Sequence, residues 1–196
     1  MSLPASSPPD PHAPWEVLGR RAVYSCPPWM TVELHTVRLP DGRIVEDYHR
    51  IVLPDYSVMY VETSDGRVVV ERQYKHGVGH ATLTLPAGLI SPGEEPVVGA
   101  RRELLEETGY EADGWESLGT FVQNSNYAGS RAHVFRARNA RRVAEPDSGD
   151  LEHIEIVLMT PGELFAAIRE NRIEVTSFAA AIALATHPAL RSPIPG

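Results

Sequence analysis

Residues 86–110 read PAGLISPGEEPVVGARRELLEETGY and place three glutamates behind a pair of arginines. The glycines and prolines at the start of the stretch favour a loop, because glycine tolerates backbone conformations that other residues avoid. Residues 94–108 predict a helix that Gly109 ends. Pro96 fits the first turn, where a missing N–H costs nothing. The stretch therefore predicts a loop followed by a helix, and the rest of the chain is interpreted around it.

Charged and apolar residues of this helix recur at helical spacing. The apolar positions predict a face that packs on the core: Val97, Ala100 and Leu104. Glu103 and Glu107 lie four residues apart on another face, with Glu106 beside them. Arg102 stands four residues before Glu106, at the spacing of a helical ion pair. The helix thus presents a cluster of carboxylates with one guanidinium next to it.

Two interpretations of the carboxylate cluster are open on composition alone. A helix reading RRELLEE is a common solvent-exposed, salt-bridged surface. Like charges four residues apart also repel by a few tenths of a kcal/mol, and a divalent cation offsets that repulsion. Mg²⁺ prefers carboxylate oxygens and keeps waters and substrate phosphates in its shell, which suits a few glutamates on one helix face.

The glycines and glutamates together decide between these interpretations. The stretch resembles the Nudix box, G-x5-E-x7-R-E-U-x-E-E-x-G-U, in which U is a bulky apolar residue. The matching residues are Gly88, Glu94, Arg102, Glu103, Leu104, Glu106, Glu107, Gly109 and Tyr110. Every fixed position is met, and only Tyr110 departs, being aromatic where an aliphatic residue is usual.

The resemblance implies a Nudix hydrolase, an α/β/α sandwich with a mixed β-sheet. Such enzymes cleave a nucleoside diphosphate linked to another moiety, with Mg²⁺ or Mn²⁺. The resemblance further implies that Glu103 and Glu107 are the principal metal ligands and that Glu106 is an additional ligand. The carbonyl of Ala87 would add a backbone oxygen. Arg102 would support the cluster, and Arg102 and Glu106 count among the catalytic residues.

Three parts follow one another along the chain. Residues 1–14 carry five prolines and predict a flexible tail. Residues 15–53 alternate polar and apolar residues around a turn and predict a small antiparallel β-rich extension. Residues 54–190 predict the Nudix domain, with strands first, a helix between strands and helices last.

Segments outside the box resemble the ADP-ribose and nucleotide-sugar pyrophosphatases. They are the β-rich extension, ERQYK at 71–75, LPAG at 85–88 and an acidic segment before the last strand. In that group the extension helps to form a homodimer whose two sites share residues, so we expect a homodimer here. Arg72 is a candidate contact for a substrate phosphate or ribose, and an exposed strand arginine is an equal alternative.

The general base and the substrate pocket are harder to assign. The stretch SGDLEHIE offers Asp150, Glu152 and Glu155, and by the resemblance Glu152 is the first choice as base, with Asp150 second. The alternative is that all three are loop acids without a catalytic role. Asn126 and Tyr127 suit a pocket for a base or sugar, and they suit a turn equally well.

Composition limits the classes of partner. Eighteen Lys and Arg against 26 Asp and Glu give a formal charge of −8, which argues against nucleic-acid and membrane surfaces as partners. Cys26 is the single cysteine, so no intrachain disulfide forms. No secretory signal or apolar spanning segment is evident, so we expect a soluble cytoplasmic protein.

The sequence therefore predicts a Mg²⁺-dependent pyrophosphatase that acts on ADP-ribose or a nucleotide sugar. Alternatives within the enzymes are hydrolysis of GDP-mannose, coenzyme A, dinucleoside polyphosphates or oxidised nucleoside triphosphates. Capped mRNA is disfavoured because the chain is acidic. A Nudix module that senses nucleotides without turnover is the alternative from a different class.

Overall fold

The computed structural model describes residues 10–190, and their contacts divide the chain into two units. The first holds the chain up to Leu53 together with Asn124–Gly129, and the second holds the rest. The sequence placed residues 124–129 in the second domain, whereas their contacts assign them to the first. Within the predicted tail, residues 1–9 lie outside the described residues.

The first unit is a three-stranded antiparallel sheet. Its strands are β1 (Glu16–Cys26), β2 (Met30–Arg38) and β3 (Ile44–Val52). The turn between β2 and β3 includes Gly42 at a φ of 87°, which a glycine adopts without strain. The small antiparallel extension predicted from the sequence is confirmed.

The second unit is built on a mixed sheet. Its strands, wholly or in large part, are β4 (Tyr56–Thr63), β5 (Val68–Lys75), β6 (His80–Thr84), β7 (Ala87–Leu89), β8 (Tyr110–Asn124), β9 (Ala128–Arg142) and β10 (Glu155–Met159). β4 runs parallel to β9 and antiparallel to β5 and β7. β5 is antiparallel to both β6 and β10.

Helices cover both faces of this sheet. They are α1 (Pro96–Thr108), α2 (Pro161–Arg169) and α3 (Thr176–Thr186). Side chains alternate along β5, so that Val69 packs with Leu104 of α1 while Val68 and Val70 pack with Ile182 of α3. The predicted α/β/α sandwich with a mixed sheet is therefore confirmed. No helix within residues 10–190 has the length and apolar character needed to cross a membrane.

Two element boundaries differ from the prediction. α1 begins at Pro96 rather than at residue 94, because Glu95 keeps an extended backbone with φ −65° and ψ 131°. The polar composition of residues 139–150, which include a proline and a glycine, by itself predicts a loop, but β9 continues to Arg142. β9 pairs with β4 as far as Thr63 opposite Ala140. This pairing extends the strand, and the composition of the segment alone does not show that a neighbouring strand is present.

Candidate active site

The fixed glycines of the box shape the two ends of the α1 region. Gly109 adopts the left-handed conformation at φ 72°, and its N–H donates to the carbonyl of Leu105. A Cβ at residue 109 would also overlap the carbonyl oxygen of Ala144. At residue 88 a Cβ would overlap the side chain of Glu103. Gly88 therefore makes the space in which the Glu103 carboxylate lies against β7.

Arg102 connects the loop to the helix through five hydrogen bonds. Its Nε and one terminal nitrogen donate to the two carboxylate oxygens of Glu94, each at 3.1 Å. Its other terminal nitrogen donates to Glu103 at 2.7 Å and to Glu106 at 3.0 Å. A fifth bond reaches the carbonyl of Leu89 at 3.0 Å. The predicted pairing of Arg102 with Glu106 is confirmed, and one guanidinium orients all three carboxylates.

These contacts change the proton affinities in opposite directions. Hydrogen bonds from Arg102 lower the pKa of Glu94, while Glu94 is the main cause that raises the pKa of the guanidinium. Glu103 differs, because its burial raises the pKa of its carboxyl in spite of Arg102. Glu103 is therefore a carboxylate that the protein alone does not fully stabilise in its charged form.

Glu107 is the buried member of the cluster, with only 6% of its surface exposed. The N–H of Ala87 donates to its Oε2 at 3.0 Å. Burial is the largest cause that raises the pKa of Glu107, followed by the charge of Glu71. Ala87 thus contacts the cluster through its N–H, and the ligand role predicted for its carbonyl stays a prediction.

Glu71 is a site residue that the sequence analysis did not single out. It lies on β5 with 1% of its surface exposed, and its carboxyl is in hydrogen-bonding contact with that of Glu107. Its Oε2 accepts from Gln73 at 2.8 Å and from Thr84 at 3.2 Å. Burial raises the pKa of Glu71. The available signal was a glutamate that directly follows the apolar run VVV at 68–70 and shares a strand face with Val69.

A cavity of about 590 Å³ adjoins Glu107. It is lined by Glu107, Tyr110, Arg142, Glu145, Pro146, Ser148, Glu152, His153, Ile154, Ile156 and Leu158. Glu152, the predicted base, is half-buried in this lining. Asp150 is exposed, and its charge adds to the effect of burial in raising the pKa of Glu103 and Glu107. Both acids therefore belong to the surroundings of the α1 carboxylates.

The predicted substrate residues lie elsewhere. Arg72 is exposed and pairs with Glu155 at 3.0 Å, and strand alternation directs it to the sheet face opposite Glu71. Asn126 and Tyr127 belong to the first unit, where their N–H groups both donate to Asn124 Oδ1 at 3.0 Å. These hydrogen bonds form a turn, which is one of the two alternatives that the sequence left open for Asn126 and Tyr127. Their substrate roles stay predictions.

Comparison with known proteins agrees with this geometry. A family model described as "NUDIX domain" matches residues 53–179. The chain belongs to the Nudix hydrolase family. A second model, "Nucleoside diphosphate sugar hydrolase N-terminal domain", matches residues 15–55 of this Nudix hydrolase. The resemblance carried by the box and by the β-rich extension is thus confirmed.

The similarity to individual relatives extends over most of this Nudix hydrolase. The ADP-ribose pyrophosphatase of Mycobacterium tuberculosis is 32% identical over 158 residues, covering 77% of this chain and 73% of the relative. The "Methanol dehydrogenase activator" of Bacillus methanolicus is 29% identical over 144 residues, covering 72% and 77%. The crystal structure of an ADP compounds hydrolase has a TM-score of 0.74 at 20% identity, covering 87% of this chain and 91% of that one. This last likeness confirms the fold.

Nudix hydrolases generally need a divalent metal ion, and the residues present fit one. The side chains are carboxylates, which are the ligands of hard cations. Glu71 Oε1 is buried and has no hydrogen-bond donor within residues 10–190. No three acidic, histidine or cysteine side chains in that range already converge on one point. Such a partial set suits a cation that completes its shell with water and substrate oxygens.

Proposed function

We propose that this Nudix hydrolase cleaves the diphosphate bond of ADP-ribose or a related nucleotide sugar, giving a nucleoside monophosphate and a sugar phosphate. The observation that carries the proposal is the placement of Glu103 and Glu107 against β7, where Gly88 leaves room for one carboxylate and the Ala87 N–H holds the other. The similarity of residues 15–55 to a nucleoside diphosphate sugar hydrolase domain supports the substrate class.

The proposed cofactor is Mg²⁺, with Mn²⁺ as a substitute. Glu103 and Glu107 would hold it, with Glu106 and the Ala87 carbonyl completing the protein ligands. A cation held there would neutralise the diphosphate and lower the pKa of a water molecule. Arg102 keeps Glu103 and Glu106 in fixed orientations through charged hydrogen bonds. This pre-organisation is the contribution of the chain itself to catalysis.

Glu152 is the proposed general base that takes a proton from the attacking water. Its place in the lining of the cavity beside Glu107 supports this role. Asp150 is the second candidate, supported by its electrostatic influence on Glu103 and Glu107. A base must lie within hydrogen-bond reach of the water, directly or through one further water, and both acids belong to the loop before β10.

Substrate binding and assembly complete the proposal. Arg72 would pair with a phosphate, and Asn126 with Tyr127 would contact the base or sugar. The chain would act as a cytoplasmic homodimer. Exposed aromatic residues in the first unit support an interface between copies, since Trp15 is 48% and Trp29 65% exposed. Exposed aromatic residues are enriched at protein–protein interfaces.

The test is product formation from a panel of nucleoside diphosphate derivatives, with Mg²⁺ and with EDTA. We expect cleavage of ADP-ribose or a nucleotide sugar that requires the cation. Glu107→Gln is expected to lower kcat by about 10²- to 10³-fold, because it removes the charge of a buried ligand at the reacting phosphates. Monophosphate release, measured by chromatography, gives both rates.

Glu163→Gln is the matched control. Glu163 forms the capping box of α2 with Thr160, and glutamine serves equally well at that position. Its activity is expected to equal that of the wild type. Full activity of Glu107→Gln would contradict the assignment of the box. Nucleotide binding without any product from the panel would favour a sensing module instead.

A further inference from the structure

The carboxyl groups of Glu71 and Glu107 form a buried pair that the box alone does not explain. Glu107 comes from α1, whereas Glu71 comes from β5, far earlier in the chain. The two groups contact each other, and both residues are more than nine-tenths buried. A contact between two carboxyl groups is unfavourable unless a proton or a cation lies with them.

The protein supplies little positive charge to this pair. Arg102 directs its five bonds to Glu94, Glu103, Glu106 and Leu89. Lys75 lowers the pKa of Glu71 through its charge alone. Glu71 Oε1 has no hydrogen-bond donor in the described part of the chain. In Glu71, hydrogen bonds therefore stabilise Oε2 but not Oε1.

The backbone fixes Glu71 relative to the loop that holds Glu107. Glu71 lies directly opposite Thr84 in the β5–β6 register, and the Thr84 hydroxyl donates to Glu71 Oε2. Gln73 donates to the same oxygen and also to the Thr84 hydroxyl at 3.0 Å. Shortly after Thr84, at the start of β7, the N–H of Ala87 donates to Glu107. One short stretch of chain therefore positions both carboxylates.

We propose that Glu71 is a further carboxylate of the cation site, a positioning residue that orients Glu107 and adds negative charge behind it. The inference rests on the proposed function, because it concerns the cation of that site. Glu71 acts on the cation through Glu107, much as an outer carboxylate orients a ligand in other metal sites. The chain thus contributes a residue from the sheet to a site otherwise built on a helix and a loop.

The test is direct binding of Mn²⁺ to metal-free protein, followed by the electron paramagnetic resonance signal of free Mn²⁺. Glu71→Gln keeps the shape of the side chain and removes its charge. We expect the Kd for Mn²⁺ to rise by about 10- to 100-fold, the usual effect of losing an outer partner of a ligand. Without metal, the variant should be at least as stable as the wild type, because one of two neighbouring buried acids is gone.

That combination separates positioning from a purely structural role, which would lower stability and leave the affinity of the folded protein for Mn²⁺ unchanged. Glu163→Gln is again the control and should bind Mn²⁺ like the wild type. An unchanged Kd in Glu71→Gln, with binding lost in Glu107→Gln, would overturn the inference and leave the proposed function intact. Weaker Mn²⁺ binding without cleavage of any nucleotide sugar would support the inference and contradict the proposed substrate.

Thr84→Val provides a second variant in case Glu71→Gln does not fold. It removes one hydroxyl donor to Glu71 Oε2 and keeps the charge of the carboxylate. We expect a smaller rise in the Kd for Mn²⁺ than in Glu71→Gln. An unchanged Kd in Thr84→Val would count against the inference, because the orientation of Glu71 would then have no effect on the cation.

Discussion

Two groups of carboxylates on and around α1 are held in different ways. The outer cluster consists of Glu94, Glu103 and Glu106 around Arg102, and the inner pair consists of Glu71 and Glu107. A guanidinium neutralises much of the outer cluster, whereas the hydrogen bonds to the inner pair come from uncharged donors. The difference teaches that one guanidinium offsets part of the charge of the outer cluster, whereas the inner pair depends more strongly on a cation.

The two groups also differ in exposure. Glu106 keeps 43% of its side chain exposed, so solvent screens part of its charge. The inner pair is almost completely removed from water, and each of its charges carries a larger desolvation cost. We therefore expect removal of Arg102 to alter the geometry and stability of the outer cluster. Changes in the inner pair should alter cation binding, in which Glu103 and Glu106 of the outer cluster are also proposed to take part.

The largest effect is expected where the outer cluster meets β7. Gly88→Ala places a methyl group in the space that the Glu103 side chain occupies, so that the carboxylate must move. We expect kcat/KM to fall by about 100-fold, because a displacement of about 1 Å at a catalytic group has that effect. Steady-state hydrolysis of the best substrate in the panel measures the loss.

Gly77→Ala is the matched control for this change. A Cβ at residue 77 meets no atom within 4 Å, so its activity should remain that of the wild type. Equal activity of both alanine variants would show that Glu103 does not need its position against Gly88.

An intermediate effect is expected for the guanidinium of the outer cluster. Arg102→Ala removes five hydrogen bonds and leaves three carboxylates without their shared partner. Because the side chain is about one-third exposed, we expect the free energy of unfolding to fall by about 2 kcal/mol rather than more. Urea denaturation in the presence of EDTA measures this loss without a contribution from bound metal.

Arg141→Ala serves as the comparison, because Arg141 also bridges two carboxylates, those of Glu111 and Asp113. That arginine is more exposed, so its removal should cost less than about 1 kcal/mol. Equal losses in the two variants would mean that the Arg102 network is no stronger than an ordinary surface pair.

A further difference is expected in the pH dependence of stability without metal. The pKa values of Glu71 and Glu107 are raised above the ordinary 4.5 by burial, so the folded state binds more protons than the unfolded state above that pH. The stability that these two groups contribute is fully present below pH 4.5. It is lost as the pH rises through their raised pKa values. Each pKa unit corresponds to about 1.4 kcal/mol at most. Glu94 has a lowered pKa, so its contribution is instead lost as the pH falls.

Thermal unfolding in EDTA from about pH 4.5 to about pH 8 tests this sign. Glu71→Gln should flatten the decline in stability, since it removes one of the two groups with raised pKa values. Lys75, Glu103 and Asp150 also act on the pair and remain in the variant. A wild-type stability that rises steadily over this range, with no difference in Glu71→Gln, would contradict the raised pKa values.

Much of the outer cluster could be predicted from the sequence, because its contacts are local. Arg102 and Glu106 are one helical turn apart, and the spacing of Val97, Ala100 and Leu104 predicted the buried face that the structure shows. The start of α1 and the end of β9 were less accurate, since a cap conformation and a neighbouring strand are set by the surrounding structure.

The sequence by itself determined the family, the loop–helix unit and the mixed α/β architecture, because spacing, glycines and helix caps act over a few residues. The tertiary structure alone decided that Glu71 meets Glu107 and that Asn124–Gly129 joins the first unit. Those outcomes depend on strand register and burial, which join residues far apart in the chain. Electrostatic effects inside a protein follow such non-local neighbours, and a linear pattern of residues does not specify them.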